Sequence, residues 1–189
     1  VLYFMPVGTT VRVAAIQPDA SPIISANTGR EELVVQLHAR MVEQTREAAA
    51  QGARIVVWPE GALQYDPQVQ DPLGLVALAR ETGVYLVIGY VVDVTECIFR
   101  NEATVISPAG DFMGVFGKDH PVVFGGETSP TRGTYPVYET PMGVLGTIIC
   151  YDLDFTDTAR KLARQGAQII AVPSNDWPGI AYKHYTHVV

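Results

Sequence analysis

Hydrophobic residues along this chain fall into short runs that alternate with amphipathic stretches. Residues 11–17 (VRVAAIQ) read as a buried strand, and a turn-rich segment, PDASPIISANTG, follows. A helix comes next: Leu33, Val34, Leu37, Met41 and Val42 recur at helical spacing, Thr28 and Glu31 have the spacing of a capping box, and Gly52 stands where the last turn ends. Residues 54–58 (RIVVW) form a second strand, cut off by Pro59, Glu60 and Gly61. Asp71 before Pro72 predicts an N-cap with proline at the first helical position, the helix carries Leu73, Val76 and Ala77, and Gly83 ends it. Residues 85–92 (YLVIGYVV) are a third strand. Strand, helix, strand, helix, strand predicts an α/β fold in which helices cover a sheet.

The pattern then changes. Residues 101–107 and 112–116 are strand-like runs joined by Pro108-Ala109-Gly110-Asp111, the chemistry of a hairpin. Residues 117–136 make a long polar loop rich in Gly and Pro that holds Lys118 and Glu127, and loops of that length inside a domain usually carry function. Residues 135–138 form a short strand. Val144, Leu145, Thr147, Ile148 and Ile149 then climb to Cys150. A helix over 156–165, with Ala159, Leu162 and Ala163 inward and Gly166 as its stop, leads to a last strand at 168–172. QGARIVVWPEGA (51–62) and QGAQIIAVPSND (165–176) match at an offset of 165 − 51 = 114 residues. Two copies are too few for a solenoid, so the echo implies related strands in two halves of one fold, with Glu60 and Ser174 at equivalent strand ends.

Composition narrows the function. The 189 residues, 48% hydrophobic and 17% charged, suffice for one domain with a real core. A net charge of −7, with 13 basic residues scattered along the chain, argues against nucleic acid. Two cysteines, Cys97 and Cys150, do not make a disulfide scaffold, and both are expected as free thiols. No apolar run is long enough to span a bilayer, and the opening VLYFMPVG lacks the basic segment and cleavage site of a signal peptide.

Cys150, at the end of a strand and before a helix start, is expected to have its pKa lowered by the helix dipole and backbone N–H groups, which makes it a nucleophile. Glu60 at a second strand end can take the thiol proton, and Lys118 can stabilise an oxyanion. VVWPEG (56–61), GKDHPVVFGGE (117–127) and GVLGTIICYD (143–152) occur in this order, and through them the chain resembles the carbon-nitrogen hydrolases, the nitrilase superfamily, from residue 11 onward. That resemblance implies a four-layer αββα sandwich over 11–189, after a linker at 1–10, with the last part of the sandwich expected to be missing. It implies Glu60, Lys118 and Cys150 as a catalytic triad, the Tyr151 backbone N–H as an oxyanion donor, and Glu127 as the residue that orients the site.

KDHPVVFGGE and PSNDW look most like the extracytoplasmic catalytic domain of apolipoprotein N-acyltransferases. The implied reaction is acyl transfer through a cysteine thioester, with phospholipid and lipoprotein as partners at the extracytoplasmic face of a membrane. The alternative is a soluble, cytoplasmic amidase, carbamoylase or nitrilase acting on a small amide or nitrile, for which a homodimer is expected. Ser174, Asn175, Asp176 and Trp177 are the expected substrate-binding residues, and neither reading implies a cofactor. Trp58 and Pro59 read as core and turn, Cys97 as an incidental thiol, and Asp152 and Asp176 as helix caps. His184 and His187, three apart, read as a polar helix surface and not as metal ligands.

Overall fold

The structure, a computed structural model, describes residues 10–18, 30–176 and Tyr182. Thr28, Trp177, His184 and His187 lie outside the described residues. Among those described, two sheets stack face to face. The first contains β1 (Val13–Ala15), β2 (Ile55–Val57), β3 (Tyr85–Thr95), β4 (Ile98–Ile106) and β5 (Phe112–Gly117) in that order, with β6 (Glu127–Thr128) alongside β4. The second contains β7 (Val137–Thr140), β8 (Gly143–Thr147) and β9 (Ile169–Ala171). Helices α1 (Arg30–Ala50) and α2 (Leu75–Thr82) cover the outer face of the first sheet, and α3 (Thr156–Arg164) packs against the second.

Neighbouring side chains on β2 and β3 point to opposite faces. Val56, Leu86 and Ile88 join Met41, Leu75 and Leu78 of the helices, whereas Ile55 and Val87 join Tyr138, Leu145 and Ala171 of the second sheet. Burial on both faces explains why these strands read as unbroken apolar runs. The layers are therefore helix, sheet, sheet, helix, the αββα sandwich. Trp58 is fully buried beneath α1 and donates its indole N–H to Thr45 Oγ1 at 2.9 Å, so its polar atom is satisfied in the core. The echoed segments are β2 and β9, one in each sheet, both paired in parallel with a neighbour.

Several local expectations are corrected. Residues 11–17 are not a buried strand: β1 covers only three of them, pairs only with β2 among the described residues, and leaves Val13 54% exposed. Asp71 does cap α2, through Leu75 N–H at 2.7 Å and Val76 N–H at 3.1 Å, but the helix begins after Gly74 and not at Pro72. The later start leaves Leu73 outside the helix, whose buried residues are Leu75, Leu78 and Ala79, with Ala77 exposed. In α3 Thr158 is buried where Ala163 was expected. Residues 95–98, which gave no turn signal, form the tight connection between β3 and β4, with Cys97 exposed at its tip. The short strand expected at 135–138 is β7, two residues later.

Candidate active site

β4 is the platform of the site. Lys118 follows β5 directly, and its N–H bonds the Asn101 carbonyl of β4 at 3.0 Å; β6 pairs with the same strand and sets Glu127 opposite Phe99. Glu60 follows β2 and approaches from the other side. Four side chains then meet. Lys118 Nζ donates to Glu60 Oε1 at 2.8 Å and to Glu127 Oε1 at 3.0 Å, and Asn101 Nδ2 donates to the same two oxygens at 2.8 and 3.0 Å. Glu127 Oε2 also accepts the Val122 N–H at 2.6 Å, which fixes the long loop. Asn101 was not singled out from sequence. Its signal was a polar residue in a strand otherwise headed for the core, Asn-Glu-Ala-Thr-Val-Ile.

Gly89 on β3 permits this convergence. A Cβ there would stand 2.7 Å from the Pro59 carbonyl oxygen, 2.8 Å from Glu60 Cα and 2.9 Å from Pro173 Cβ. Only a residue without a side chain lets the two echoed loops come together over β3.

Cys150 arrives from the second sheet. Beyond β8 the pairing with the β9 segment continues, since Ile148 N–H bonds the Ala171 carbonyl and Cys150 N–H bonds the Pro173 carbonyl at 2.9 Å. The backbone then turns sharply. Cys150 has φ of 42°, a left-handed conformation that costs a non-glycine residue about 1–3 kcal/mol, and it opens a 3₁₀ turn, Cys150–Asp154. Asp152 holds that turn. Its buried carboxylate accepts Ile149 N–H at 3.0 Å on Oδ2 and His120 N–H at 2.8 Å on Oδ1, so one side chain ties the Cys150 turn to the loop after Lys118. Asp152 is therefore more than the helix cap expected.

The electrostatics reverse one expectation. Burial lowers the Lys118 pKa, but Glu60 and Glu127 outweigh it and hold the ammonium above its ordinary value. Two carboxylates against one ammonium leave the site with surplus negative charge. Burial first, and the Glu60 charge next, push the Cys150 thiol from 9.0 up to about 12, against the opposing pull of Ser174 and Lys118. The resting sulfur is a thiol and not the thiolate that a helix terminus alone would give, because the nearby carboxylate and the loss of water outweigh the turn's N–H groups.

A cavity of about 610 Å³ opens over these groups. Glu60, Lys118, Glu127, Cys150 and Tyr151 line it, together with Asn175 and Asp176. The Cys150 thiol donates to Asp176 Oδ1 at 3.5 Å. Ser174 does not line the cavity; it is partly buried beside the sulfur, and Trp177 lies outside the described residues. Val91, Phe99, Val122 and Phe124 supply an apolar wall. Behind Lys118, Asp119, His120 and Asp157 bring potential ligand atoms within 4.8 Å of one another. Lys161 Nζ lies 3.2 Å from Asp119 and 2.8 Å from Asp157, so an ammonium already fills the place of a cation.

The family model of the carbon-nitrogen hydrolases matches residues 12–186. The chain belongs to the carbon-nitrogen hydrolase family. It is similar to a nitrilase of Pyrococcus abyssi, at 32% identity over 69% of this chain and 55% of that protein. It is similar also to an apolipoprotein N-acyltransferase of Geobacter metallireducens, at 27% over 96% of this chain and 39% of that protein. A human omega-amidase matches at 28% over 87% of this chain and 63% of its own length. The chain thus spans from 39% to 63% of these three relatives. Among solved structures, an amidase of Nesterenkonia aligns with a TM-score of 0.68 at 22% identity, covering 91% of this chain and 68% of that one. A carbon-nitrogen hydrolase of Helicobacter pylori aligns at 0.63 and 22%, covering 85% and 63%. These likenesses carry the fold: the layered αββα sandwich is shared.

Proposed function

We propose that this chain carries the acyl-transfer centre of a cysteine enzyme. Cys150 Sγ attacks the carbonyl carbon of a donor while its proton passes to Glu60; the oxyanion rests between the Lys118 ammonium and the Tyr151 backbone N–H. Collapse expels the leaving group, which takes the proton back from Glu60, and a thioester remains on Cys150. Water or an amine then gives its proton to Glu60 and attacks the thioester, and the sulfur departs as a thiol. Glu127 and Asn101 position Glu60 and Lys118. The raised thiol pKa supports this concerted order, since the sulfur loses its proton as it attacks and not beforehand.

The preferred donor carries an extended apolar acyl group, and one observation favours this: Phe124, 94% exposed, lines the cavity together with Val91, Phe99 and Val122. On this reading the reaction is apolipoprotein N-acyl transfer, the activity for which the Geobacter relative is named, with a phospholipid as donor and a lipoprotein amine as acceptor. Hydrolysis of a small amide or nitrile is the second reading, supported by the 32% identity to a nitrilase.

Intact mass spectrometry separates them. The protein is incubated with p-nitrophenyl acetate, p-nitrophenyl octanoate, a phospholipid, and simple amides and nitriles. Acyl addition is expected with the native protein and not with Cys150→Ala, and faster with octanoyl than with acetyl. Equal or faster acetylation overturns the apolar-donor reading, and no adduct with any donor overturns the acyl-enzyme itself.

A further inference from the structure

A second cavity, about 160 Å³, lies on the other side of the Glu60 turn. Val34, Leu37 and Met41 of α1 form its apolar floor, and Gln17 and His38 stand at its edge. It shares Glu60, Gly61, Gln64 and Asn175 with the large cavity, so these residues form the partition between the two. His38 Nε2–H donates to the Ala62 carbonyl at 2.8 Å and ties α1 to the partition, which fixes the cavity's width. Two members of the partition, Gln64 and Asn175, are exposed side chains, and Gln64 Nε2 donates to the Gly61 carbonyl at 3.2 Å.

Chemistry gives this second cavity a use, on the proposal that Cys150 forms a thioester. Once acylated, the large cavity holds the acyl group along its apolar wall, on the side from which the donor entered. The nucleophile that ends the cycle must still reach Glu60, the base that takes its proton. The small cavity borders Glu60 from the side of α1, away from Lys118 and Cys150, which line only the large cavity. Its volume of about 160 Å³ has room for several water molecules or for the amino end of a longer acceptor.

We propose that donor and acceptor use separate entrances, with the α1 cavity admitting the small N–H or O–H nucleophile that resolves the acyl-enzyme. The step balances: H–Nu attacks the thioester carbon, its proton goes to Glu60, the C–S bond breaks, and the sulfur leaves with that proton, which regenerates thiol and carboxylate.

The test uses p-nitrophenyl octanoate as donor. The burst of p-nitrophenolate reads acylation, and loss of the octanoyl mass from Cys150 in water, ammonia or n-butylamine reads resolution. Leu37→Trp, which fills the cavity, is expected to keep the burst rate within about twofold while resolution slows about tenfold or more. Leu37→Ala, which widens it, is expected to raise the ratio of the butylamine rate to the ammonia rate. The route is overturned if folded Leu37→Trp resolves at the native rate, if burst and resolution fall in step, or if Leu37→Ala leaves the ratio unchanged. Should Leu37→Trp fail to fold, the Leu37→Ala ratio alone decides. If the native protein forms no octanoyl adduct, the acyl-enzyme reading falls together with this one; an adduct whose resolution ignores both variants overturns the second entrance alone.

Discussion

Replacing Glu60 by glutamine separates the two ways in which a carboxylate could serve Cys150. Glu60→Gln keeps the side chain's shape and leaves Oε1 able to accept from Lys118 Nζ and Asn101 Nδ2, each 2.8 Å away. It removes one of the two carboxylates beside a single ammonium, and with it the surplus negative charge. The thiol now stands at about 12 instead of 9.0, through burial first and the Glu60 charge and hydrogen bond after it. That displacement is about a thousandfold in thiolate below pH 9. The variant loses the Glu60 share and keeps the burial share, so the ionisation midpoint moves down from about 12 toward 9.0. Iodoacetamide alkylation of Cys150 between about pH 7 and 11, read by mass in a Cys97→Ser background because Cys97 is also free, should therefore become faster. Acylation by the productive donor should fall by about a thousandfold, as expected for a lost general base. Thiol reactivity and catalysis move in opposite directions. If Glu60 instead served to create a resting thiolate, both would fall together; slower alkylation, or acylation surviving within about tenfold, refutes the reasoning.

Four further outcomes are expected. Asn101→Ala removes two hydrogen bonds to charged oxygens, each about 1.5–3 kcal/mol, and should cut the acylation rate about 10- to 100-fold in a burst assay, whereas Asn101→Asp adds a third carboxylate and should cut it further. Gly89→Ala drives a methyl group against Pro59, Glu60 and Pro173; thermal melting should show a loss of about 1–3 kcal/mol, and acylation measured well below the melt should drop as Glu60 is displaced. Asp152→Asn cannot accept on both atoms where His120 N–H and Ile149 N–H now bond, so one N–H faces an amide NH₂; a loss of about 1–3 kcal/mol in urea unfolding checks this, and native stability in that variant would refute it. Tyr138→Phe deletes a hydroxyl that is buried without a partner among the described residues, and should stabilise the protein by about 1 kcal/mol at neutral pH. Burial holds the Tyr138 phenol above 10.0, so above pH 10 the unfolded phenol ionises before the folded one and stability falls as pH rises toward the folded value; urea unfolding at high pH should show a shallower decline in the phenylalanine variant.

Local pattern determined a good deal of this protein. The strands at β2 and β3 were legible because burial on both faces forces continuous apolar runs, and the hairpin at Pro108–Asp111 because turn chemistry acts over four residues. Glu60, Lys118 and Cys150 stood out as candidates because each sits in a contiguous stretch whose order along the chain is informative, and the structure brings Glu60 and Lys118 into contact with the cysteine beside them. The start of α2 was not legible, because one left-handed glycine, Gly74, delays it. Asn101 and Asp152 became members of the site only through pairings that join residues far apart in sequence: β4 with β5 and β6, and the Cys150 turn with the loop after Lys118. The protonation state of Cys150 was beyond the sequence for the same reason. A strand end before a helix start favours a thiolate locally, but the free energy of the sulfur is set by everything buried around it. Only the fold decided that two carboxylates and one ammonium would share that space.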